Sequence, residues 1–456
     1  MPLKHETFGR QFIHIKFHII IVIMKNLFIL SLLFLILIFS SCNKRSNKNG
    51  IFYTSENTSV LERVSSNEQP IVVRKDSEIT QLYDKETLDC DSAYNKIIPY
   101  AYDVDYILLD PKDVIIGKID KIEFFEDRLF ILDEKSAAIY IFNRTGQFIR
   151  KICNKGRGPG EYLYLNDFSI DRANGLIVVG ANFKIQYYDL DGNFISEHAQ
   201  DDYYVAFVAD TLGRLHFFSS LNQNIGYPMQ DWSVFSQIKD SVISIGFPFL
   251  SFNYKDVMPA RDNLAFRNGR GEVLIRQLLT DSIFRINSDL TYSLHAYFEI
   301  ESGQSRHNIL KNFNGTQKEA SSIIMSGYKL SNYYETSAAV YGSYLTPKGG
   351  LSFLICRKTG NQYHITHRLS VSGCPFDEDQ FLLTSLLPEP KAVTDDDRFV
   401  GYIWPMILEE FIGIYRECKK DFAEIPNKTL SRYLDDFELD GNPLIVTYKI
   451  GFREDI

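Results

Sequence analysis

Seven consecutive residues, Gly156-Arg157-Gly158-Pro159-Gly160-Glu161-Tyr162, are the sharpest local signal in the chain. Three glycines and a proline set a tight exposed turn, because glycine reaches positive φ without a Cβ clash and proline fixes φ. It is no phosphate loop. A phosphate loop carries a Lys-Ser/Thr pair and leads into a helix, and this turn does neither. Two readings stay open. Arg157, Glu161 and Tyr162 are candidate binding residues at an exposed rim. Alternatively, Arg157 and Glu161 hydrogen-bond within the turn and only hold neighbouring elements in register.

The remaining candidates for chemistry are scattered. A divalent cation would draw oxygen ligands from separate segments, and Asp167, Asn182 and Asn263 are of the right type, although no spacing forces them together. His364 and His367 lie three apart, which suits shared ligation on a helix but sends them to opposite faces of the strand expected there. Asp395-Asp396-Asp397-Arg398 reads as a solvated acidic loop. Tyr203, Tyr204, Tyr333 and Tyr334 would either stack on a sugar or peptide or pack between structural elements. Neither Gly-x-Ser-x-Gly nor His-Glu-x-x-His occurs. The sequence therefore assigns no catalytic residue, no metal set and no cofactor. Of the six cysteines none forms a Cys-x-x-Cys pair, which excludes zinc-ribbon and thioredoxin-type chemistry. Cys356 and Cys374 are the pair to test for a disulfide; the alternative is that all but Cys42 are small buried hydrophobes.

Cys42 belongs to the leader. From Met24 the chain reads MKNLFILSLLFLILIFSSC: one lysine, a largely apolar run from Leu27 to Phe39, then Ser40-Ser41-Cys42. The run is of signal-peptide length and short for a span. Small residues directly before a cysteine resemble the lipobox of bacterial lipoproteins, with Phe39 where leucine is usual. That resemblance implies cleavage before Cys42 and a diacylglycerol on its thiol. A second apolar patch, Phe17 to Ile23, leaves two options: Met24 is the true start, or Phe17 to Phe39 is an uncleaved anchor. Both put the main domain outside the cytoplasm. The expected division is a leader at 1–41, a lipidated flexible tether at 42–70 and a folded domain at 71–456. The tether begins with the basic stretch NKRSNKNG and lacks an acidic surface-display signal, which favours the periplasmic face over the cell surface.

The elements that must carry these residues are β-strands. Aromatics make up 14% of the chain, with 27 Tyr and 34 Phe against 2 Trp, a balance that favours pleated surfaces. Without residues 1–41 the net charge is −12, from 45 Lys and Arg against 57 Asp and Glu, which argues against nucleic acid as a partner. Leu129–Ile149 and Gly175–Ile195 repeat each other at an offset of 46, pairing Phe130 with Leu176, Ile139 with Ile185 and Gly146 with Gly192. Each copy alternates apolar residues around a Thr-Gly or Asp-Gly turn, the pattern of a hairpin. A period of this length with four strands fits a propeller blade. Weaker copies predict blades starting near 117, 165, 204, 263, 325 and 366. The early run Val104 to Leu109 and the terminal run Asn442 to Ile450 are expected to share one blade and so close the ring. Helices are expected at Trp404 to Lys420 and Leu430 to Phe437.

Four stretches, Ile115 to Ile152, Gly156 to Tyr162, DFSID with YDLDGNFI, and the ending DGNPLIVTYKI, resemble the six-bladed, NHL-like β-propeller lipoproteins of Bacteroides-type bacteria. The resemblance implies a six-bladed β-propeller with short C-terminal helical insertions, held in the cell envelope by a lipid anchor. It assigns no activity. The expected function is binding of an envelope protein or a small ligand such as a glycan, rather than catalysis. The alternative is a metal-dependent lactonase or lyase acting in the channel.

Overall fold

The computed structural model describes residues 70–74, 99–110, 114–200, 204–218, 232–248, 264–277, 282–301, 304–305, 319, 329–346, 349–365, 370–371, 387–409, 412 and 428–452. The chain divides into two units, Met1–Tyr53 and Thr54–Ile456, and the described residues all fall in the second. Cys42, Asn263, Tyr203, His367 and Cys374 lie outside them.

Six antiparallel sheets form the blades of a propeller. Blade 1 comprises Lys121–Phe125, Arg128–Asp133, Ala138–Asn143 and Phe148–Ile152. Blade 2 comprises Leu165–Asp171, Leu176–Ala181, Lys184–Asp189 and Phe194–Ala199. Blades 3, 4 and 5 begin at Ala206, Ala265 and Lys329. Blade 6 begins at Ala392, not near 366. The short strand Ser370–Val371 instead pairs in parallel with the outer edge of blade 6. Ile71–Arg74 adds a parallel strand to the outside of blade 4.

Blade 6 closes the ring as expected. Its third strand, Leu444–Phe452, pairs antiparallel with Pro99–Leu108, so a strand from before blade 1 completes the last blade. The helix Lys428–Asp435 buries Leu430, Tyr433 and Leu434, spaced three and one apart on one face, against the core shared by blades 5 and 6. Residues 405–409 are also helical.

Each inner strand is buried on both faces, which is why LFIL and LIVV are unbroken apolar runs. In blade 1, Phe130 and Leu132 pack toward blade 2, while Leu129 and Ile131 pack toward blade 6. Six such clusters fill the six gaps between neighbouring blades. Outermost strands are different: Phe148–Ile152 and Phe194–Ala199 are largely exposed and polar.

The repeat is not held at one offset. Glu123 pairs with Phe130 in blade 1, and the corresponding Ser169 of blade 2 pairs with Val178. Phe130 therefore answers to Val178, not to Leu176. Blade 2 has a longer first turn than blade 1 and a shorter second turn, so the third strands return to step, with Ile139 matching Ile185. The shift is two residues, one full strand period, so apolar still aligned with apolar. The turns closing the third strands do repeat: Gly146 and Gly192 have φ of 85° and 78°.

Candidate functional site

The inner strands enclose a central cavity of about 460 Å³ to which all six blades contribute. Its wall is half apolar, with Val208 from blade 3, Ala265 and Phe266 from blade 4, Tyr334 from blade 5 and Val393 from blade 6. Its charged residues include Lys121 and Glu123 of blade 1, Asp167 and Arg172 of blade 2, Arg267 of blade 4 and Lys391 ahead of blade 6.

An innermost strand has one unpaired edge, and the preceding blade supplies the missing partners. Glu123 accepts from the Ile170 amide at 3.3 Å. Asp167 accepts from the Phe207 amide at 2.9 Å, and Ser169 from the Ala209 amide at 3.1 Å. Lys121 Nζ donates to Asp167 at 2.9 Å and to the Phe168 carbonyl at 2.6 Å.

The charges here are strongly coupled. Burial would lower the Lys121 pKa, but Asp167 and Glu123 outweigh it and hold the ammonium protonated. Burial would raise Glu123, but Lys121, Arg172 and Arg267 together hold it below the usual carboxylate range. For Asp167 burial wins, and its carboxyl is pushed up despite Lys121. Arg267 is lowered to about 10, first by burial and then by the Arg172 charge.

The acidic run is tied to several blades and is not the free solvated loop its composition suggests. Asp395 receives Arg172 of blade 2 at 3.0 Å. Asp396 lies 3.4 Å from Arg144 of blade 1. Asp397 accepts from the Ser337 amide of blade 5 at 2.8 Å. A Cβ at Gly269 of blade 4 would stand 2.0 Å from the Asp397 carboxylate, so a side chain there would push that carboxylate aside. Arg398 pairs with Asp103 on the closing strand at 2.6 Å. One loop of blade 6 thus reaches blades 1, 2, 4 and 5.

The glycine-rich turn lies elsewhere, wedged between blades 1 and 2. Glu161 folds back to accept from the Gly158 amide at 2.7 Å. Tyr162 is fully buried, and its hydroxyl donates to the carbonyls of Ala137 and Ile152 at 3.1 and 3.2 Å. Gly160 takes a φ of 72° against the Phe194 ring, and its amide donates to Glu197 at 3.1 Å. Of the three rim candidates only Arg157 is exposed. It joins neither Glu161 nor Tyr162 in a common site, because Tyr162 carries its ring inward.

Of the oxygen set, Asp167 and Asn182 do not come together. Asp167 is in the channel, whereas Asn182 turns its side chain to the Tyr164 amide at 3.0 Å. Among the described residues no three His, Cys, Asp or Glu side chains gather as a metal-binding group. Tyr204 packs on Phe207 and Phe217, and the Tyr333 hydroxyl donates to Glu335 at 2.9 Å, so neither offers a stacking platform. Cys356 is buried.

Sequence reasoning missed Lys121, Glu123, Arg172 and Arg267. A signal was present. Lys121-Ile122-Glu123-Phe124 alternates charged with apolar residues on a strand bounded by blade cores, and Arg172, Arg214, Arg270 and Arg398 recur at first turns.

Residues 85–449 match the family described as Domain of unknown function (DUF4934). No curated protein matches the chain. Among solved structures, a putative exported protein of Bacteroides fragilis NCTC 9343 is similar with a TM-score of 0.58 at 18% identity, covering 84% of this chain and 99% of that one. A member of the DUF4221 family from Bacteroides vulgatus ATCC 8482 is similar at 13% identity and a TM-score of 0.43, covering 78% of this chain and 99% of that one. A virginiamycin B lyase from Staphylococcus aureus, catalytically inactive and holding quinupristin, is similar at 12% identity and a TM-score of 0.34, covering 65% of this chain and 80% of that one.

Proposed function

The chain belongs to the DUF4934 family, and on that premise we propose that it is a cell-envelope lipoprotein whose propeller binds a small ligand in its central channel without converting it. The observation that carries this reading is the cavity of about 460 Å³, walled by all six blades and half apolar. Concave, mostly apolar sites with a few convergent polar groups are what small-ligand recognition uses. Of its charged groups, Lys121 is matched to Asp167 and the Phe168 carbonyl, and Glu123 to the Ile170 amide. That is the chemistry of recognition rather than of proton transfer. Anchoring rests on Ser40-Ser41-Cys42, with the periplasmic side favoured by the basic start of the tether.

The test uses the full chain in detergent against a panel of glycans, peptides and small organic acids, read by thermal shift. Ligand binding to the folded state raises the melting temperature by mass action. At least one compound is expected to raise it, with the shift lost in Ala265→Phe, which fills the channel, and kept in Arg157→Ala. A shift lost in Arg157→Ala and kept in Ala265→Phe would move the site to the rim and overturn the channel reading. Mass spectrometry of the purified chain is expected to find a diacylglycerol-modified Cys42 as the amino-terminal residue.

A further inference from the structure

Two innermost strands break their ladders beside residues that line the channel. In blade 2, Leu165 pairs with Ala181 and Asp167 with Gly180, so Asn166 is the extra residue of a β-bulge. In blade 5, Leu330 pairs with Tyr344 and Asn332 with Ser343, so Ser331 is the extra residue and Asn332 follows it. The innermost strands of blades 1, 3, 4 and 6 pair without such a shift. A bulge re-aims side chains that a regular ladder would fix, and bulges concentrate beside binding sites for that reason. Blades 2 and 5 are three apart in a ring of six, so they stand opposite one another.

Both asparagines line the cavity and are only partly buried. The Asn166 side chain makes no hydrogen bond among the described residues. Asn332 Nδ2 donates to Ser343 Oγ at 3.0 Å, which orients the side-chain amide and leaves its Oδ1 unengaged. These free atoms are accessible rather than sealed in the core. The cations of the wall are engaged within the chain. Lys121 has Asp167 at 2.9 Å, Arg172 has Asp395 at 3.0 Å, Lys118 pairs with Asp120, and Lys391 has Glu389 at 3.9 Å. Arg267 donates to the carbonyls of Ala209 and Ile170. The groups left for a ligand are therefore two neutral amides on opposite walls, with Phe266 and Tyr334, rings 6.5 Å apart, on the wall of blades 4 and 5.

A side-chain amide carries donors and an acceptor side by side, and neighbouring hydroxyls present the same pair. A sugar ring has hydroxyls around its edge and an apolar face that packs on an aromatic ring. We propose that, on the channel reading above, the ligand is a neutral saccharide, held at opposite edges by the side chains of Asn166 and Asn332 and packed against Phe266 and Tyr334.

The experiment titrates the full chain calorimetrically in a zwitterionic detergent that contains no sugar. The probes are the methyl glycosides of glucose, galactose, mannose and N-acetylglucosamine, with cellobiose and lactose, and N-acetyl-alanyl-alaninamide as a neutral peptide. At least one saccharide is expected to bind saturably and the peptide not at all. Asn166→Ala removes a side chain that bonds nothing in the chain, so it should fold normally and weaken binding about tenfold. Asn332→Ala should weaken it similarly, and the double variant should abolish it. Saccharide affinity unchanged in both single variants would overturn the proposal. So would saturable binding of the peptide alone, or of no saccharide at tens of millimolar. In those cases the channel reading stands if the compound that does bind is lost in Ala265→Phe, and a saccharide still bound by Ala265→Phe would overturn both.

Discussion

At the scale of single residues, the most consequential group outside the channel is Glu335, at the end of the innermost strand of blade 5. It has no exposure. His295 Nε2 lies 2.6 Å away, the Tyr333 hydroxyl donates at 2.9 Å and Arg270 at 3.2 Å, and Arg357 pairs with it as well. His295 and Arg270 belong to blade 4, so one carboxylate pins two blades together. Burial alone would raise its pKa, but His295 and Arg357 outweigh burial and hold it below the ordinary 4.5. A carboxyl whose folded pKa lies below its unfolded one contributes stability at all pH above the unfolded value and loses it as pH falls through the folded value. Asp210, held low by His216 and Arg214 against burial, acts in the same direction. The urea midpoint is therefore expected to be flat from pH 7 to about 5 and to drop below about 4.5. Removing one partner of a buried ion cluster typically costs about 3–5 kcal/mol. Glu335→Gln should lower neutral-pH stability by that order and flatten the acid drop. An unchanged acid limb in Glu335→Gln would show that other carboxyls govern it.

At the scale of elements, the glycine-rich turn and the closing strand make separate demands. Tyr162→Phe removes the one hydroxyl proton shared by the Ala137 and Ile152 carbonyls and should cost about 1 kcal/mol. Gly160→Ala forces a Cβ at φ 72° to within 3.3 Å of the Phe194 ring. A left-handed residue with a side chain costs about 1–2 kcal/mol. Both changes are read from denaturation midpoints. If Gly160→Ala is neutral, the turn is less constrained than its geometry says. Closure makes a harsher prediction. Val446 sits mid-strand, paired with Tyr106 on one side and Gly401 on the other, whereas Ile195 is exposed at a bulge on an outer edge. Proline removes a ladder donor and is tolerated only at edges and bulges. Val446→Pro should abolish the cooperative thermal transition, and Ile195→Pro should merely shift it. These elements were also what the sequence displayed best. Period-two apolar runs and the Gly146 and Gly192 turns announced strands and hairpins, and the same period hid the two-residue slip that pairs Phe130 with Val178. Blade 6 was misplaced because its innermost strand is only Ala392–Val393, too short to show any period. Arg267 and Asp395 were illegible for a different reason: their partners lie in other blades, and local spacing carries no record of them.

At the scale of the whole molecule, one loop of blade 6 ties blades that are not neighbours. Blades in a propeller touch only their neighbours, so each gap can loosen on its own. The 395–397 loop adds ties that skip neighbours, above all Arg172 to Asp395, which joins blade 2 to blade 6 past blade 1. Arg172 is mostly buried and Asp395 is 46% exposed. Partial exposure limits the pair to about 0.5–1 kcal/mol of coupling in a double-mutant cycle of Arg172→Ala and Asp395→Ala. So small an energy changes the fold little but is enough to bias a local opening several-fold. In Asp395→Ala, amide exchange is expected to speed up several-fold in a peptide covering 394–398, with blade 3 unchanged. High salt should do the same in the native chain, because the Debye length shrinks to about 3 Å at 1 M and exposed pairs are screened. If exchange at 394–398 ignores both Asp395→Ala and salt, the contacts of Asp397 with Ser337 and its fit over Gly269 hold the loop, and the charged ties contribute no more than any surface pair does.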